Sequence, residues 1–129
     1  MADRTAISTD RAAGPFGGAP YSQAIVASGF VFTAGQIGAR ADGAGLVGET
    51  IEEQTEQVIA NLAAILDASG SSLDQVVKTT CFLSDLANFP AFNEVYRRHF
   101  TSDFPARSTV GVSLPPGVLV EIEAVALVG

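Results

Sequence analysis

One cysteine, Cys81, and one histidine, His99, are all that the chain has of either residue. A lone cysteine cannot close a disulfide within the chain, so a reducing, cytoplasmic location is expected. One histidine with no cluster of partners leaves no ligand set for zinc, and no metal is expected. Basic residues are scarce too: 7 Lys and Arg stand against 14 Asp and Glu, a net charge of −7. Nucleic-acid binding needs a basic patch, so this balance argues against nucleic acid as a partner. No apolar run approaches the ~20 residues of a membrane span, and no membrane association is expected. The opening MADRTAISTD lacks the form of a signal peptide. The glycines of residues 35–48 show no phosphate-loop spacing and read as turns. Ser22 has no His–Asp arrangement near it, which argues against a serine hydrolase.

What is present is enough for a full core. The 129 residues are 47% hydrophobic and 16% charged, a size that fits one domain spanning 1–129. The charged fraction is low against a typical ~25%, so some apolar surface is expected to be covered by another subunit.

Residues 5–8 read as a short opening strand, and the Gly- and Pro-rich stretch 11–20 as loop. Two apolar runs in 24–34, broken by Ser28-Gly29, read as a tight hairpin. Residues 35–48 read as a long loop with Asp42-Gly43 as its turn. Thr50 and Glu53 form a capping box. Ile51, Val58, Ile59, Leu62, Ile65 and Leu66 then recur on one helical face, and Gly70 ends the helix. Glu52, Glu53, Glu56, Gln57 and Asn61 make a face expected to be solvated. Val76–Leu83 alternates as a strand, with Val77, Thr79, Cys81 and Leu83 on one face. Asn88 is expected to cap a second helix whose stripe is Phe89, Phe92, Val95, Tyr96 and Phe100. The expected fold is α+β: an antiparallel or mixed sheet with two helices packed on one face.

Residues 105–129 read as a β-hairpin turning at Pro115-Pro116-Gly117. Pairing Leu114 with Val118 puts Ser108, Val110 and Val112 opposite Ala124, Ile122 and Val120 on the helix-facing side. Arg107, Thr109, Glu121 and Glu123 then share the uncovered face. On this register Arg107 lies about 13 Å from Glu121 along the sheet. That gap, together with Leu119, Val125 and Leu127 on the same face, points to an oligomer whose sites lie at subunit boundaries.

PYSQAI at 20–25, FTAGQIG at 32–38, the helix and strand through 61–83, FPAFNEVYRRHF at 89–100, PARSTV at 105–110 and LPPGVLVEIEAVA at 114–126 resemble the YjgF/RidA family. The resemblance covers almost the whole chain. It implies a chorismate mutase-like fold, assembled as a homotrimeric barrel with helices outside and a cleft at each subunit boundary. It implies hydrolytic deamination of 2-enamine and 2-imino acids of the 2-aminoacrylate class to 2-keto acids and ammonia, with no cofactor. Arg107 matches the arginine that clamps the substrate carboxylate, and Glu121 the acidic residue that positions water and shuttles protons. Tyr21 and Asn93 match cleft residues, and backbone groups near Ala34, Gly35 and Thr109 are expected to hold the nitrogen and the water. Four positions depart from the family pattern. Ala34 replaces a serine, Thr109 stands where cysteine is frequent, Ala19 replaces a glycine, and VGVSLPPG is one residue shorter than the commoner form.

Other readings stand beside this one. A second reading is a trimer whose clefts bind small carboxylates or proteins without turnover. Older family names point to a ribonuclease or translation inhibitor, which the acidic charge disfavours. A further reading differs only in substrate, taking a specific catabolic intermediate such as 2-aminomuconate. Cys81 reads as a buried small hydrophobe, with an oxidation or chlorination switch as the alternative. His99, late in the second helix, reads as a complement to the helix dipole.

Overall fold

A computed structural model describes residues 3–101 and 103–129. Its strands and helices run, in chain order, β1 (Thr5–Ile7), β2 (Ala24–Ala27), β3 (Phe30–Thr33), β4 (Gln36–Ile37), α1 (Ile51–Ala68), β5 (Val76–Leu83), α2 (Phe89–His99), β6 (Ala106–Gly111) and β7 (Val120–Leu127). The sheet is mixed, ordered β1-β2-β3-β7-β5-β6, with β4 pairing to β7 beyond the end of β3. Both helices pack on one face, as expected.

The local signals explain most elements. Ser28 and Gly29 both take positive φ, the requirement of a two-residue turn whose twist matches its strands. The Thr50 hydroxyl accepts from the Glu53 amide and donates to the Glu53 carboxylate, so the capping box closes through the side chains. Gly70 takes φ +80° and lets the amides of Gly70 and Ser71 return to the carbonyls of Asp67 and Leu66. Val58, Ile59, Leu62, Ile65 and Leu66 of α1 and Phe92, Val95 and Tyr96 of α2 are buried against Val120, Ile122, Ala124 and Ala126 of β7.

The terminal segment is not a hairpin. β6 and β7 run antiparallel, but β5 lies between them: it pairs parallel to β6 and antiparallel to β7. Residues 112–119 form a connection that crosses the end of β5 rather than a tight turn. The amide of Val112 and the carbonyl of Leu119 both bond to the end of that strand, at Leu83 and Ser84.

The faces change accordingly. Arg107 pairs with Thr79 and Thr109 with Cys81, so both lie on the helix side; Glu121 pairs with Phe82 on the open side. Ser108 and Val110 belong to the open side, not the helix side. Leu119 packs against the core instead of lining the open face.

Smaller corrections have local causes. A bulge between Val76 and Lys78 turns Val76 inward and leaves Val77 exposed. The Asn88 side chain makes no cap bond; the preceding turn is capped by Asp85, which accepts from the Ala87 amide. Asn61 is fully buried, because its amide donates to the carbonyls of Ile37 and Ala39. The supposed loop 35–48 contains β4 and an Ala39–Leu46 bridge.

The open side of the sheet is apolar along β3 and the last half of β7, at Val125 and Leu127. Phe32 and Leu127 are 45% and 44% exposed there, on a face no element of the described chain covers. Among the described residues, no helix is long and apolar enough to cross a membrane.

Candidate active site

β6 is the edge of the sheet, and α2 runs beside it. From that edge Arg107 turns toward the helix, and its guanidinium lies over three aromatic rings: Tyr96 at 4.8 Å, Phe89 at 5.4 Å and Phe92 at 5.7 Å from their centroids. Rings in this arrangement attract the cation and limit where it can go. No described carboxylate pairs with it, so its donors remain available. The group opens into a cavity of about 270 Å³ lined by Asn93, Tyr96, Arg97, Phe104, Pro105 and Arg107.

Two polar atoms beside it lack partners in the described chain: Asn93 Oδ1 and Thr109 Oγ1, both buried. Buried acceptors without partners are uncommon in folded proteins and mark places where a ligand or another chain supplies a donor. The Val112 amide points into the sheet toward Leu83. By the alternation of a strand, the backbone groups of Arg107 and Thr109 therefore point outward from the edge.

Behind Arg107, the Tyr96 hydroxyl and Thr79 Oγ1 are 2.7 Å apart, and the Cys81 thiol donates to Thr79 Oγ1 at 3.8 Å. Cys81 is fully buried, and burial pushes its thiol up to about 11. At neutral pH the sulfur is a protonated, inert packing group, which favours the small-hydrophobe reading of this residue. His99 Nε2 lies 2.8 Å from Glu56 Oε2, tying the end of α2 to α1.

On the opposite side of the sheet lies the second half of the predicted site. A cavity of about 320 Å³ is lined by Phe16, Tyr21, Ala34, Gly35, Ile37, Pro115 and Glu121. The strand that begins as β3 breaks at Ala34-Gly35 before resuming as β4. The Thr33 hydroxyl accepts the Ala124 amide that the break leaves unpaired. The break lays the Gly35 backbone directly on the Glu121 side chain: a Cβ there would fall within the carboxylate and 2.9 Å from Glu121 Cδ. Burial raises the Glu121 carboxyl above its ordinary value, and the nearby Glu123 charge raises it further. A carboxyl moved in that direction is better suited to exchange protons near neutrality.

The predicted site residues thus fall into two sets. Arg107, Asn93 and Thr109 gather at the β6–α2 edge; Tyr21, Ala34, Gly35 and Glu121 gather on the open face. One chain does not bring the two sets together. Sequence reasoning missed Phe16, Ile37 and Pro115, which wall the second cavity. Of these, Phe16 carried a signal: an aromatic residue amid glycines and prolines is out of place in a plain linker. Among the described residues there is no group of three or more His, Cys, Asp or Glu side chains able to hold a metal ion.

Comparison with known proteins fits this geometry. The family model described as Endoribonuclease L-PSP matches residues 13–128. A human protein named 2-iminobutanoate/2-iminopropanoate deaminase is 42% identical over 127 residues, covering 98% of this chain and 91% of that one. Among solved structures, yeast Mmf1 superposes with a TM-score of 0.92 at 44% identity, covering 98% of this chain and 100% of that one. Escherichia coli TdcF with bound serine has a TM-score of 0.89 at 36% identity, covering 97% and 99%. A match over nearly the full length, in sequence and in fold, carries the motifs quoted from the sequence with it: the chain belongs to the YjgF/RidA family.

Proposed function

We propose that the protein hydrolyses 2-enamine and 2-imino acids to 2-keto acids and ammonia, in clefts formed where the Arg107 edge of one copy meets the Glu121 face of the next. The observation that carries this reading is the division of the site. A cation with free donors and a carboxyl of raised pKa occupy opposite faces of one chain, each in an open cavity. A cyclic assembly closes both halves at once, and the uncovered apolar face around Phe32 and Leu127 supplies a surface for it. We take the assembly to be a homotrimer.

In this reading Arg107 clamps the substrate carboxylate with two parallel N–H donors. Its stacking on Tyr96, Phe89 and Phe92 fixes the fork before substrate arrives, which lowers the entropy lost on binding. Water adds to C2 of the C=N bond, and Glu121 takes the water proton and returns it to nitrogen. The tetrahedral intermediate then expels ammonia, and C2 becomes the carbonyl carbon of the keto acid. Atoms balance as imino acid plus water giving keto acid plus ammonia. For an enamine such as 2-aminoacrylate, Glu121 first delivers a proton to the β-carbon. Asn93 Oδ1 and the outward carbonyl of Thr109 are placed to accept from the substrate nitrogen or the water. Ala34 contributes only backbone, so the hydroxyl of the commoner family serine is dispensable in this scheme. Tyr21 lines the open-face cavity.

The test uses an amino-acid oxidase to generate 2-iminopropanoate in the presence of a trapping amine. The purified protein should divert the imine from the trap to pyruvate, and Arg107→Ala should abolish the diversion. Equal rates for the two proteins would reject the assignment, and a monomer at micromolar concentration in sedimentation would reject the shared cleft. TdcF with bound serine shows a family relative holding a small carboxylic acid, so a carboxylate-binding trimer without turnover is the second reading. It predicts keto-acid binding that depends on Arg107 with no acceleration of imine loss.

A further inference from the structure

Phe16 is 67% exposed, more than any other large apolar side chain among the described residues, yet its backbone is tied down. Its amide donates to the Tyr21 hydroxyl at 2.8 Å. The turn it begins, Phe16–Gly18, is closed by the Gly18 amide on the Pro15 carbonyl and the Ala19 amide on the Phe16 carbonyl. Gly17 and Gly18 take φ of +61° and +72°, which lets the chain double back there. The result is a backbone turn, tied to the cavity's own tyrosine, that sets Phe16 at the rim of the Glu121 cavity.

The cavity wall around it is nearly all apolar. Phe16, Ile37 and Pro115 surround Glu121, and position 34 is alanine. At about 320 Å³ the space falls at the lower end of the ~300–1,000 Å³ typical of small-molecule sites. Pyruvate-sized acids have only a methyl group to place against such a wall. We propose that Phe16 is a specificity-determining wall that selects 2-imino acids with branched or aromatic side chains of four or more carbons, whose side chain lies between Phe16, Ile37 and Pro115. This deepens the deaminase reading and rests on it for the identity of the reacting group, but not for the identity of the wall.

An apolar contact the size of a ring edge discriminates by roughly 10-fold or more. The wild-type protein should therefore show a higher kcat/KM for 4-methyl-2-iminopentanoate than for 2-iminopropanoate, both generated by an amino-acid oxidase. Phe16→Ala should lower that ratio roughly 10-fold, through KM of the larger acid. Phe16→Leu should restore most of it. Equal losses for both acids, or an unchanged ratio, would overturn the proposal. Calorimetry with the product-type ligands 4-methyl-2-oxopentanoate and pyruvate gives a readout independent of turnover. Preferential binding of the larger ligand, weakened by Phe16→Ala, without imine hydrolysis would retain the wall and sink the deaminase reading. Hydrolysis with no size preference would do the reverse. Because Phe16 is mostly solvent-exposed, the variants should melt with the wild type.

Discussion

Adding one methyl group at Gly35 separates catalysis from stability. A Cβ built there lies 2.9 Å from Glu121 Cδ and 3.0 Å from Cγ, so the carboxylate cannot stay where it is. Gly35 has no left-handed φ, and its backbone accepts alanine. The obstacle is the end of a side chain, which can swing away at a rotamer cost of ~0.5–1.5 kcal/mol. Alanine also narrows the unfolded ensemble, which offsets ~0.4–1 kcal/mol. Net stability should therefore move by less than ~1 kcal/mol, a shift in Tm of a few degrees.

Activity should respond far more. If Glu121 is the proton carrier, displacing it removes a general acid–base contribution of ~10²–10⁴ in rate, or about 2.7–5.4 kcal/mol at 1.36 kcal/mol per decade. Two other glycines supply the comparison. At Gly48 a Cβ meets the Glu53 carboxylate at 2.7 Å, the same kind of clash but in the helix cap. At Gly38 it meets the Gln54 Cα at 2.9 Å, backbone that cannot swing aside. Gly48→Ala should cost about 1 kcal/mol of stability with kcat intact, and Gly38→Ala should lower Tm the most. Imine hydrolysis and thermal melts on the three variants decide the matter. Full kcat in Gly35→Ala, or equal loss in Gly48→Ala, would refute Glu121 as the proton carrier.

Burial raises the Glu121 pKa, so between its unfolded and folded values the native state holds the extra proton. Stability from this group is present at low pH and is lost as pH rises through the folded pKa. Glu121→Gln should accordingly stabilise the protein at pH 7 relative to wild type, with the advantage vanishing below the ordinary carboxylate pKa; melts at the two pH values check this. Glu123→Gln removes a charge that lifts Glu121, so the acidic limb of the kcat/KM profile should move to lower pH. Arg107→Lys keeps the charge but loses the planar fork stacked on Tyr96, and KM for the imino acid should rise by an order of magnitude or more. Cys81, buried and with its thiol at about 11, should resist alkylation at pH 8 until the protein unfolds, so labelling in a urea series should track the global transition.

The helices were legible because their signals are local. The Thr50–Glu53 box, the apolar stripe of α1 and Gly70 each act within a turn or two, and the structure uses all of them. Asn61 escaped because its reason for burial is remote: its partners are the carbonyls of Ile37, in a two-residue strand too short to announce itself, and of Ala39 just beyond it. The face of Arg107 escaped for a related reason. Alternation along 106–111 fixes which residues share a side, but only the neighbouring strand decides which side that is. The sequence neighbour, β7, was the wrong one to choose. With β5 in between, Arg107 inherits the side of Thr79, and the same alternation that seemed to join it to Glu121 separates them.

The 112–119 connection, which holds most of the VGVSLPPG stretch, bears on Glu121 less than its position in the chain implies. In a hairpin, losing one residue at the turn shifts the register and flips every side chain beyond it. Here nothing after the connection takes its register from β6. Glu121 is held on one side by pairing with Phe82 of β5 and on the other by pairing with Ile37 of β4. The connection itself is tied down by the buried Gln54 of α1, whose amide donates to the carbonyls of Gly48 and Gly117 and whose oxygen accepts the Leu119 amide. Between Val112 and Gly117 the chain is exposed apart from half-buried Leu114, so a residue gained or lost there should be absorbed before the segment that Gln54 holds at Gly117 and Leu119. Glu121 therefore takes its face, and its contact with Gly35, from β4 and β5 rather than from the loop before it.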